Sequence, residues 1–190
     1  MITKTESPLP DHLLKKGGEG VEQYFAAFAQ KEGLQKRIYN QNGLRLLLIS
    51  RLTEPDLSPK AVTQYLDEAL YYEKRWGDAC CVLVAQDAVN KRLATGLLDG
   101  SGLRDSFSGW TVHTLNYHHL QEGGYLALDF TSGVNVDRKQ GYFNLLALGG
   151  DSLAQVIDDV TKLYGGTWRP SLQGTKKHFE EVDRLALQSY

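Results

Sequence analysis

The sequence predicts an α+β protein: a helical lobe with a central cysteine-bearing helix, packed on a small antiparallel sheet. Three observations predict it. Apolar residues in the first half recur at helical spacing, as in Val21, Tyr24, Phe25, Phe28 and Ala29. The texture changes at Trp110: Trp110 to His119 and Tyr125 to Thr131 are rich in β-branched and aromatic residues and flank a glycine turn, the pattern of a hairpin. After Gly149-Gly150-Asp151, the residues Leu153, Val156, Ile157, Val160, Leu163 and Tyr164 share one helical face, and Gly165-Gly166 stops that helix.

Taken in order, residues 1–20 are polar and carry Pro8, Pro10, Gly17, Gly18 and Gly20, so they read as a flexible N-terminal arm. The helix that opens at Val21 ends at Gly33. Leu44 to Leu52 is leucine-rich with few β-branched residues, which favours a helix over a buried strand. A turn around Pro55 follows. Ser58-Pro59 then opens a helix, with serine as the cap and proline at the first helical position, and Val62, Leu66, Ala69 and Tyr72 form its apolar face. It runs into Trp76-Gly77, and the cysteine helix follows. Gly96 to Ser108 is rich in Gly, Ser and Asp and predicts a loop. Beyond the hairpin come a strand over Tyr142 to Leu148, the capped helix from Leu153, and a loop at Trp168-Arg169-Pro170 with room for a short strand. A last helix spans Lys176 to Gln188.

The totals bound the class. With 190 residues, 42% hydrophobic and 23% charged, residues 21–190 read as a single globular domain. Its helical lobe covers about 21–96, and its β-rich lobe with the C-terminal helices about 109–190. A net charge of −2 with scattered basic residues gives no footprint for nucleic acid or an anionic membrane. No apolar run approaches the roughly 20 residues that cross a bilayer. The start, Met1 to Glu6, lacks the apolar core of a signal peptide. The only two cysteines, Cys80 and Cys81, are adjacent, so no disulfide framework is available and the expected compartment is cytoplasmic.

Those two cysteines sit in the stretch around which the chain is built. Gly77 breaks the preceding helix and Asp78 is a good N-cap. Cys80 and Cys81 then fall in the first helical turn, where free N–H groups and the positive dipole end favour a thiolate. Cys81, Val84, Ala85 and Ala88 make one apolar stripe. Val82, Leu83 and Val89 make the other faces apolar, so the first turns are expected to be buried nearly all round. Cys81 on the stripe suits a core role, and Cys80, nearer the open helix end, is the slightly better nucleophile.

Thiol chemistry also needs an imidazole and a polar group to orient it. His113 and Asp129 lie on the two hairpin strands. A loop of Leu120-Gln121-Glu122 pairs His113 directly with Asp129. A loop of residues 121 to 124 pairs Asn116 with Asp129 and puts His118, not His113, on the face of the acid. An acid inside an apolar strand is costly to bury without a partner. It finds one either in such a histidine or in the backbone of Thr131 or Ser132. His118 and His119 are neighbours on a strand and point to opposite faces, and zinc-type spacings are absent, so no metal and no cofactor are expected.

These residues resemble the papain-like and transglutaminase-like cysteine enzymes over about Gly77 to Gly133. The likeness is carried by a cysteine at the start of a buried helix after a glycine. It continues in a later strand histidine and in Gly124-Tyr125-Leu126-Ala127-Leu128-Asp129-Phe130-Thr131. The resemblance implies Cys80 or Cys81 as nucleophile, His113 as base and Asp129 as its orienter. It implies a thiol-dependent acyl-transfer enzyme, foremost a cysteine protease or amidase acting on a protein or peptide. Two features depart from it. Transglutaminase-like proteins place one residue between the Gly and the Cys, whereas two precede Cys80 and three precede Cys81. No side-chain oxyanion donor is identifiable upstream. The alternative function is a non-catalytic, immunity- or adaptor-like binding protein on the same fold. A regulatory or inhibitory protein partner is compatible with either.

Overall fold

The computed structural model describes residues 18–41, 43–76, 81–102, 112–130 and 145–172. In chain order these form α1 (Gly18–Glu32), β1 (Gln35–Gln41), β2 (Leu44–Ser50), α2 (Pro59–Trp76), α3 (Cys81–Asn90) and β3 (Gly96–Ser101). The chain continues as β4 (Val112–His119), β5 (Tyr125–Asp129), β6 (Leu145–Gly150), α4 (Leu153–Tyr164) and β7 (Thr167–Ser171). The protein is α+β, as its residue patterns predict. The expected helix over 176–188, the residues 1–17 of the arm, and Asp78 and Cys80 lie outside the described residues.

The sheet is larger than expected. Among the described residues, seven strands run in the order β1-β2-β6-β5-β4-β3-β7, and only β2 and β6 pair in parallel. β1 and β2 come from the segment expected to be mostly helical, and β3 from one expected to be a loop. Leu44 to Ser50 is a strand, because Leu46 and Leu48 bury on one face of the sheet while Leu47 and Ile49 bury on the other. A run apolar on both sides is what a central strand requires. It pairs with β1 in antiparallel register, with Gln41 opposite Leu44, and Gly43 holds φ +79°, a backbone conformation that favours glycine. Gly96 to Ser101 is likewise a strand, not a loop. Gly96 and Gly100 are the residues that let β3 lie under large rings. A Cβ at Gly96 would sit 2.5 Å from the Tyr117 ring, and one at Gly100 would sit 2.7 Å from the Trp168 ring.

Helices cover both faces. Phe25, Phe28, Val156, Val160 and Leu163 of α1 and α4 pack on Leu47, Ile49, Leu98, Leu115, Ala127, Leu146 and Leu148. Val62, Leu66 and Ala69 of α2, with Val84 and Ala88 of α3, pack on Leu46, Leu48, Leu126, Leu128 and Ala147. α4 starts on Ser152, whose hydroxyl accepts from Gln155 N, and ends at Gly165 with φ +74°. A helical and a β lobe are therefore not separate layers. One sheet joins strands from both halves of the chain.

Candidate active site

The site is assembled at the end of the hairpin. The loop is Gln121-Glu122-Gly123, closed by Leu120 N donating to Gly124 O at 3.0 Å. Asn116 pairs with Leu128 and Tyr117 with Ala127. This corrects both expected registers. Continuing the observed one sets Leu115 opposite Asp129, so His113 lies one diagonal step from the acid and on the same face. Diagonal neighbours on one face remain within reach of long side chains. His113 Nε2 lies 3.1 Å from Asp129 Oδ2. The same oxygen accepts a hydrogen bond from Tyr164 Oη at 2.7 Å. Tyr164 is the last residue of α4, so the carboxylate is held by two elements far apart in sequence.

Burial makes these bonds matter. Asp129 and Tyr164 are 3% and 1% exposed, and His113 is 9% exposed. A carboxylate there is tolerable because donors such as His113 and Tyr164 meet it. Burial disfavours the charged imidazole, but the Asp129 carboxylate and its hydrogen bond, and then the Cys81 thiol, outweigh that cost. The His113 pKa is raised from 6.5 to about 10. Burial and the facing carboxylate push the Tyr164 phenol well above its ordinary value, so Tyr164 stays a donor. Tyr164 and Trp168 flank the imidazole, with ring centroids 5.9 and 6.4 Å away. Trp168 is fixed in turn by Nε1 donating to Gly165 O at 2.9 Å.

Cys81 is the thiol at this histidine. It lies near enough to His113 to help raise the imidazole pKa, and it is partly exposed. Cys81 is the first residue of α3. The expectation of all-round burial is corrected, since Leu83 is 46% exposed. Val82, Val84, Ala85 and Ala88 are buried. Cys80, the slightly favoured nucleophile, lies outside the described residues, as do Thr131 and Ser132.

His118 is directed elsewhere. It is half-buried, near Thr95 Oγ1 at 3.5 Å and edge-on to Tyr65, and burial lowers its pKa. His119 stacks on Tyr125 with centroids 4.6 Å apart. Among the described residues, no three His, Cys, Asp or Glu side chains gather as a metal-binding group. No helix of the described residues is long and apolar enough to cross a membrane. Sequence reasoning missed Tyr164 in this role: its position on the apolar face of α4 was legible, but its hydroxyl partner was not. No family model, curated protein or solved structure matches the chain.

Proposed function

We propose that the protein is a thiol-dependent acyl-transfer enzyme, foremost a cysteine protease or amidase of papain-like or transglutaminase-like type acting on a protein or peptide. One observation carries this reading: a buried imidazole is bonded to a carboxylate and has a partly exposed thiol near enough to raise its pKa. Asp129 accepts the Nε2 proton and fixes the ring. In this reading Cys81 and His113 react as a thiolate–imidazolium pair. The Cys81 thiolate attacks a carbonyl carbon, and the leaving amine takes a proton from His113. A thioester remains on Cys81. Neutral His113 then takes a proton from water, whose oxygen displaces the sulfur and releases the acid. Such a thiol must stay reduced, which sets the protein in the cytoplasm.

The test is the alkylation rate of the native protein between pH 5 and 9, with mass spectrometry locating the label. Rapid labelling of Cys81 at pH 6, lost in His113→Ala and unchanged in Cys80→Ala, is the expected result. Slow labelling of both cysteines at every pH up to 8 would sink the free-enzyme reading and leave the binding-protein alternative.

A further inference from the structure

The structure holds a buried amide, Asn116, that the chemistry above does not use. Asn116 is 1% exposed, on a strand that also buries Thr114 and Leu115. Its Nδ2 donates to Ala85 O at 2.8 Å and to Gly96 O at 3.2 Å. Both amide hydrogens are thus spent on main-chain carbonyls of two other elements, α3 and β3. The Ala85 carbonyl lies in a helix, where it already has an intrahelical acceptor role, and its second lone pair takes the asparagine. The small side chains of Ala85 and Ala88, both buried, let the helix come close enough for this.

The placement is specific. Ala85 is one helical turn after Cys81, and Asn116 is three residues after His113 on the same strand. The amide therefore clamps the first turns of the thiol helix to the strand that carries the imidazole. Apolar packing alone allows a helix to slide along a sheet, since it is non-directional. Two hydrogen bonds to fixed carbonyls do not. Resting on the reading of Cys81 and His113 given above, we propose that Asn116 is a positioning residue that sets the Cys81–His113 contact by fixing α3 on β4.

Asn116→Leu keeps the branched shape and removes both donors. Cys81 alkylation at pH 6 is expected to fall roughly 10- to 100-fold, as for a misplacement of about 1 Å, with the pH profile moving up toward that of an ordinary thiol. Leu66→Ala in α2 serves as the control for simple destabilisation. It should lower the unfolding midpoint and leave the profile in place. If Asn116→Leu fails to fold, Asn116→Thr, which suits a strand and keeps one hydroxyl donor, should give the same shift at smaller size. A wild-type profile in a folded but less stable Asn116 variant would overturn the proposal. A second readout does not depend on catalysis: the NMR titration of His113 with and without Cys81→Ala. In the wild type the thiol change should shift the imidazole titration, and in Asn116→Leu that effect should vanish. Persistence of the effect in Asn116→Leu would overturn the clamp while leaving the enzyme reading intact. Its absence in the wild type would overturn both.

Discussion

At the scale of single residues, the site is a problem in placing charge inside a core. The His113–Asp129 pair makes a pH-dependent contribution to stability whose sign follows from the shift. The folded-state pKa of His113 lies above its unfolded value of about 6.5. The gain is therefore full below that value and is lost as pH rises through about 10. Urea unfolding should show wild-type stability falling from pH 7 to pH 10, and Asp129→Asn should show much less of that fall. Tyr164→Phe removes one of the two donors on Asp129 Oδ2 and leaves the ring in place. A loss of about 1–2 kcal/mol in unfolding free energy is expected, as for a buried carboxylate deprived of one bond. The Cys81 alkylation profile of this variant should move less than that of His113→Ala. An unchanged unfolding free energy would show that the phenol bond contributes nothing.

At the scale of elements, the hairpin and β7 decide how His113 is walled. Gly100 lies beside His113 in the β3–β4 ladder and beside Trp168 in the β3–β7 ladder. Because a Cβ there would meet Cη2 and Cζ2 of Trp168 at 2.7 Å, Gly100→Ala forces the indole away from β3. An overpacking cost of about 1–3 kcal/mol is expected, read as a lower thermal midpoint. Since Trp168 lies edge-on to His113, the alkylation profile of Cys81 should change with it. An unchanged midpoint would mean that the indole relocates freely, against its bond to Gly165 O. The helices followed their local signals closely. Ser58 caps α2 as expected, its hydroxyl accepting from Ala61 N at 3.2 Å, and α4 is capped by Ser152, whose hydroxyl accepts from Gln155 N at 3.2 Å. β2 and β3 did not follow local signals. A leucine run has no period that separates a helix from a strand buried on both faces, and a Gly-Ser-Asp stretch looks like a loop until large rings are laid over it.

At the scale of the molecule, the sheet is bound together by contacts between its first and last thirds. β2 pairs with β6 across about 100 residues of chain. Arg51, just after β2, places Nε 2.8 and 3.0 Å from the carboxylate oxygens of Asp159 on α4. Asp159 is 1% exposed, and Arg51 is also 3.9 Å from Glu32 of α1. This pair locks α4, which carries Tyr164, to the centre of the sheet. Asp159→Ala leaves the guanidinium without its main partner. Because Arg51 keeps some solvent and Glu32, the cost should fall at or below the usual range for a broken buried pair, about 2–3 kcal/mol. Chemical denaturation of the wild type and variant would measure it, and a loss under about 0.5 kcal/mol would reduce the pair to an ordinary surface bridge.

The sequence by itself determined the α+β class, the extents of α2 and α4 with the serine cap of α2, and a short set of groups worth bringing together: Cys80, Cys81, His113 and Asp129. These are local properties, carried by periodicity, by cap and glycine chemistry, and by the cost of an acid in an apolar strand. Tertiary structure alone decided that β2 and β3 are strands, that the hairpin loop has three residues, and that His113 and Tyr164 meet at Asp129. Each of those outcomes depends on pairing between segments far apart in the chain. A shift of one residue in such pairing turns every side chain to the other face, and no local pattern in either strand specifies it.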